Sequence, residues 1–117
     1  LVLQRQPAIR EVAAFAQALG HPVHDLSALN DNLESMLALL SLIDEYVGVS
    51  NTNMHLRAAV GRTARVLVPA PPEWRWMADS KESPWFPGFT VYRQRYDRGW
   101  ENALRELEND LRCSQAK

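Results

Sequence analysis

A chain of 117 residues, 46% of them hydrophobic, is long enough for one domain with a core and too apolar to be disordered. Its 13 Lys+Arg against 14 Asp+Glu leave a net charge of −1, which argues against a nucleic-acid partner, since the basic footprint of a nucleic-acid binder is missing. No apolar run approaches the roughly 20 residues of a membrane span; the longest, Met36 to Ile43, is broken by Ser41 and closed by Asp44 and Glu45.

Leu1-Val2-Leu3 reads as a short strand, ended by Gln4, Arg5 and Gln6. Pro7 suits the first turn of a helix, where its missing N–H costs nothing. Ile9, Val12, Ala13, Ala16 and Leu19 follow at helical spacing, and Gly20 stands where a left-handed residue closes the helix. His21 to Leu26 reads as a second strand. Asn30 or Asp31 can cap a second helix whose apolar stripe is Leu33, Met36, Leu37, Leu40 and Ile43. Tyr46, Val47 and Val49 make a compact buried strand, Ser50 to Asn53 a polar turn, and Met54 to Val60 a short helix ended by Gly61.

Ala64 to Val68 is a further strand. Pro69, Pro71 and Pro72 open a loop to about Gly88 that carries Trp74, Trp76, Trp85 and Phe86. Phe89 to Tyr92 is the last strand. After Gly99 comes a helix with Trp100, Ala103, Leu104, Leu107 and Leu111 on one face. Alternation of this kind predicts an α/β fold: a three-layer, Rossmann-like lobe with a mostly parallel sheet of about five strands. Ligands of such sheets bind beyond the carboxyl ends of the strands, here the turns after Val49 and Val68.

The turn after Val49 has the chemistry for an anion. The first N–H groups of a helix lack intrahelical partners and carry partial positive charge. Together they form a phosphate site, to which Ser50 and Thr52 add hydroxyls and His55 a ring nitrogen. The same Ser50, Asn51 and Thr52 equally serve as ordinary helix caps.

From Asp44 to Gln94 the chain resembles the end of the donor domain in bacterial glycosyltransferase-like proteins of the GT-B type. These proteins often carry tetratricopeptide repeats and are related to heptosyltransferases and, more distantly, to O-linked N-acetylglucosamine transferases. The resemblance rests on Val49-Ser50-Asn51-Thr52, on His55-Leu56-Arg57-Ala58-Ala59, on Gly61, and on the strand from Ala64 to Val68. It rests more strongly on Trp74-Arg75-Trp76, Ser83-Pro84-Trp85-Phe86-Pro87 and Val91-Tyr92-Arg93-Gln94, three signatures in register.

The resemblance implies the carboxyl-terminal lobe of a two-lobed transferase with a nucleotide-sugar in the cleft as substrate and no separate cofactor. Ser50, Asn51, Thr52, Asn53, Met54 and His55 would meet the donor diphosphate. Arg57, Pro69, Trp74 and Arg75 would lie near the donor or the cleft mouth. Asn51 stands where the family has an aspartate, and Arg57 where it has a small residue; a solvated surface position is the plainer reading of Arg57. The catalytic base would come from the other lobe, so the chain alone is expected to be inactive as an enzyme. Its partners would be that lobe and helical repeats of a parent protein, or a second copy in a homo-oligomer. A start at Leu1, within a strand-like run, fits a piece of a longer protein. The alternative is a non-catalytic binding or protein-interaction module derived from the same fold, docking through the Trp-rich loop.

Trp74, Trp76 and Trp85 can stack on a sugar or base, although pinning the loop is the plainer role for at least two of them. Glu73 and Asp79 are candidate carboxylates for acid–base work, but nothing pairs them at a diagnostic spacing, and ordinary loop charges are the plainer reading. His21 and His24 lack a third ligand, so no metal is expected. Cys113, alone, forms no internal disulfide, and the expected setting is a reducing cytoplasm.

Overall fold

The structure is a computed structural model, and it describes residues 1–116. The chain divides into two compact units, Leu1–Leu39 and Leu40 onward.

In the first unit α1 (Ile9–Leu19) ends where expected, with Gly20 left-handed at φ 72°. Its apolar stripe is not buried: no α1 residue is, and Ile9, Phe15 and Leu19 are exposed. The two amino-terminal segments read as strands meet in one isolated bridge, Val2 with Asp25. Just past the bridge Ser27 opens a 3₁₀ turn, which takes that segment out of extended conformation. Residues Ser27–Asp31 form a 3₁₀ turn instead of a helix cap. The cap of α2 (Leu33–Leu42) is therefore Asn32, whose Oδ1 accepts the Ser35 N–H at 2.9 Å.

The second unit contains β1 (Val47–Val49), α3 (Thr52–Ala59), β2 (Arg65–Val68), β3 (Thr90–Arg93) and α4 (Glu101–Gln115). The α/β class holds, but the sheet has three strands, not about five, in the order β1-β2-β3 and parallel throughout. The register puts Gly48, Val66 and Val91 on one face and Val49, Leu67 and Tyr92 on the other.

On the second face, Ala103 and Leu107 of α4 form a cluster with Tyr92, flanked by Leu67, Trp100 and Leu111. Leu104, placed by periodicity on this face, is 49% exposed. Val47 and Val49 are also exposed, at 39% and 50%, so β1 is an edge strand and not the buried centre its composition suggested. On the first face, Met54 of α3 packs close over β1. A Cβ on Gly48 would stand 3.2 Å from Met54 Cε.

A polar network at the amino end of β2 ties the layers together. Arg65 pairs with Glu45 at 3.2 Å, donates to the Tyr92 hydroxyl at 2.9 Å and to Ser114 Oγ at 2.8 Å. Tyr92 in turn donates to Asp110 at 2.8 Å. Burial, then the Asp110 bond, pushes the Tyr92 phenol up, so it stays a neutral donor.

The crossover from β2 to β3 is a loop with one 3₁₀ turn, Trp74–Trp76. It re-enters the sheet through Gly88, whose φ of 83° favours glycine. A Cβ there would lie 2.7 Å from Thr63 Cγ2. Gly88→Ala is expected to cost about 1–3 kcal/mol, the range for a non-glycine residue held left-handed. A shift in urea midpoint checks this, and a Thr63→Ser background should return only the steric part.

Candidate functional site

Parallel strands deliver their carboxyl ends to one edge, so Ser50 after β1 and Pro69 after β2 emerge on the same side. The Ser50 hydroxyl donates to Glu73 Oε2 at 3.2 Å, joining the two turns. Glu73 Oε1 forms an ion pair with Arg75 Nη1. Glu73, a candidate for acid–base work from the sequence, is thus held as a loop charge by an ion pair and one hydrogen bond.

The six residues of the turn separate into two sets. Asn51 caps α3, its Oδ1 accepting the Met54 N–H at 3.3 Å. The Met54 amide is therefore already used, and the Met54 side chain is fully buried. Asn53 is 8% exposed. Burial raises the pKa of the Tyr46 phenol, and hydrogen bonds with the Asn51 and Asn53 side chains oppose that shift. Asn51, Asn53 and Met54 thus serve the fold. Thr52 and His55 are exposed at the first turn and Ser50 is half-buried.

Arg57 is neither at the cleft nor solvated: it is 1% exposed. Its guanidinium donates to the carbonyls of Leu40, of Ile43 at 2.9 Å, of Asp44 at 3.1 Å and of Thr63 at 2.7 Å. Burial first, then Arg62, lowers its pKa, while Glu45 and Asp44 raise it; an arginine still stays protonated. The carbonyls ending α2 lack intrahelical donors, so a charged fork from α3 replaces a local cap.

The loop signatures interlock. Ser83, 3% exposed, donates through Oγ to the Arg75 carbonyl at 2.5 Å and accepts the Trp85 N–H at 3.2 Å. Arg93 donates to the carbonyls of Trp76, of Met77 at 3.0 Å and of Ser80 at 2.9 Å. Gln94 accepts the Ala70 N–H and donates to the Arg98 carbonyl, both at 2.9 Å. Trp76 is fully buried, stacked on Phe86 at 4.6 Å and near Phe89 at 6.5 Å.

Only one of the three candidate stackers pins the loop, against the expected two. Trp74 and Trp85 are 60% and 58% exposed, set edge to face at 5.1 Å. The Arg75 guanidinium lies 4.6 Å from the Trp74 ring centre, a cation–π contact. His55 meets Phe86 edge-on at 5.1 Å. Between α3 and the loop runs a shallow open groove of about 430 Å³, lined by His55, Ala58, Ala59, Arg75, Trp85 and Phe86. Ala58, Ala59 and Phe86 were quoted from the sequence only within motifs and not as site residues. The signal was there: positions 55, 58 and 59 share one helical face, and two of them are small.

Among the described residues no cluster of His, Cys, Asp or Glu could hold a metal ion, and no helix is long and apolar enough to cross a membrane. Compared with family models, curated protein sequences and solved structures, the chain gives no match.

Proposed function

We propose that this chain binds the diphosphate of a nucleotide-sugar at the turn after β1, as the donor-side lobe of a glycosyltransferase. The observation that carries the reading is the exposed first turn of α3 at the carboxyl edge of a parallel sheet, with Thr52 and His55 open to solvent. That edge is where ligands of open α/β sheets bind, and the helix start favours an anion. Two features limit the affinity. The Met54 amide is already bonded to Asn51, and Glu73 brings a carboxylate to Ser50, its charge offset by Arg75. By the resemblance the catalytic base comes from a second lobe, so the chain alone is expected to transfer no sugar.

Titration with a nucleoside diphosphate should give saturable amide shifts at Thr52 and His55. Thr52→Glu puts a carboxylate at the first helical position. The charge suits the helix there, so the fold should be kept while the diphosphate is repelled. Affinity should fall about tenfold, or about 1.4 kcal/mol. No shift at millimolar ligand on a folded protein rejects the reading.

A second reading, a protein-interaction module, is favoured by the exposed Trp74 and Trp85, since Trp and Arg dominate binding hot spots.

A further inference from the structure

We propose that β1 is a pairing edge for a second copy of this chain. The two β1 strands meet antiparallel about Gly48 and join the two sheets into one. The surface is the backbone edge of the strand, apart from the turn that follows it.

The phase of that edge is fixed by one bond, from the Arg65 N–H to the Tyr46 carbonyl at 2.9 Å. Successive residues of a strand direct their N–H and C=O groups to alternate sides. Tyr46 and Gly48 therefore address β2, while Val47 and Val49 address the outside of the sheet. β1 ends the order β1-β2-β3, and among the described residues no hydrogen bond reaches the Val47 or Val49 backbone from that side. Two donors and two acceptors thus stand open within three residues. Natural edges are ordinarily blunted by a charge, a proline or a bulge, and Val47-Gly48-Val49 carries none of these.

The face beneath α4 is bare at the same place. Lys81, whose carbonyl accepts the Val91 N–H, pairs with Glu106 at 3.3 Å, so that flank of α4 lies toward β3. Leu104 and Leu111 are on the opposite flank, toward β1, and line an open groove of about 450 Å³. Val47, Val49 and Leu104 form the exposed apolar strip along it, at 39%, 50% and 49%.

Self-complementarity and charge identify the occupant as a second copy. About a two-fold axis at Gly48, Val47 lies opposite Val49 of the second copy, and Val49 opposite its Val47. Each pair exchanges two backbone bonds, so four bonds meet every open group on both strands. Gly48 faces its own equivalent in the closely spaced, unbonded position, where no side chain holds the strands apart. The four valines share the α4 face and stack as cross-strand pairs. Continued outward, the register sets Glu45 opposite Asn51 of the second copy. The acidic Asp44 and Glu45 thus run beside the positive first turn of its α3, and no like charges face each other. An edge this short covers roughly 600–800 Å² in total, below the ~1,200 Å² at which stable complexes begin, so the dimer is a weak one.

Sedimentation velocity on the whole chain tests this. Even standard interfaces extend down to micromolar affinity, so association should appear only above about 10 µM and grow toward about 1 mM. Over the same range amide exchange at Val47 and Val49 should slow, while that at Gly48, which addresses β2 in either state, should not change. Val49→Lys and Val47→Glu should each weaken the dimer roughly tenfold, because symmetry removes the cross-strand pair twice. An equimolar mixture of the two variants should recover it, since the register sets the new lysine opposite the new glutamate. Both valines are exposed, so each variant should keep the parent's circular dichroism; if either does not fold, the exchange pattern of the parent still decides. A chain that remains monomeric at about 1 mM overturns the proposal. So does a dimer in which the Val47 and Val49 amides exchange as they do in the monomer, and so does a mixture of variants that recovers nothing.

Discussion

Arg57→Leu is expected to destabilise the second unit by about 3–5 kcal/mol, enough to unfold a small domain of ordinary stability. The guanidinium serves four carbonyls through three nitrogens: Nε to Thr63, Nη1 to Leu40 and Ile43, Nη2 to Asp44. Leucine would fill the space and leave those acceptors facing apolar atoms. Each buried, unmet polar group costs about 1–3 kcal/mol, and relaxation toward water keeps the sum below four full penalties. Arg57→Lys keeps the charge but offers one nitrogen, which cannot reach carbonyls on both sides of the fork, so it should recover less than half the loss. Urea denaturation of the three proteins gives the result directly. A leucine variant within about 1 kcal/mol of the parent would mean that these carbonyls find other partners.

Trp76→Ala is the second large effect, about 3–5 kcal/mol, as for other buried aromatic truncations. The ring is fully buried in a cluster with Phe86 and Phe89, so the surrounding loop has little freedom to collapse. Trp76→Phe should cost much less than alanine. Phenylalanine keeps the stacking, and the indole N–H it removes is buried with no acceptor among the described residues. A donor without a partner contributes a penalty, so its loss offsets part of the smaller ring. Thermal melts of both variants test the order: alanine well below phenylalanine, phenylalanine near the parent.

Elements with strong local signals were legible in the sequence. Gly20 closing α1, the strand-turn-helix around Ser50 and the long amphipathic α4 all rest on periodicity and cap chemistry, which act within a few residues. The sheet was overcounted because short apolar runs near the amino terminus have strand composition, yet they meet only in the isolated Val2–Asp25 bridge before the 3₁₀ turn begins.

Arg57 was misread because charged residues are rarely buried unless paired, and its partners are backbone carbonyls, which leave no trace in composition. The eight residues of α3 also lack a clean apolar stripe: its buried side is Asn53, Met54 and Arg57. The turn's phosphate chemistry was legible in residue types. The division of labour within it was not, because Asn51 and Asn53 hydrogen-bond a tyrosine that sequence alone does not place beside them. Likewise the three tryptophan signatures look alike in sequence. Only the Ser83 and Arg93 bonds decide which indoles face inward.

The Arg65 network has a consequence for how the molecule opens. Helix ends ordinarily fray by themselves, and their amides exchange with solvent at little energetic cost. Here Ser114, in the last turn of α4, and Asp110 share a cation and a phenol with β2 and β3. Peeling α4 away strips partners from the middle of the sheet. Amide protons along that helix should therefore exchange in step with those of the two strands, as one cooperative unit.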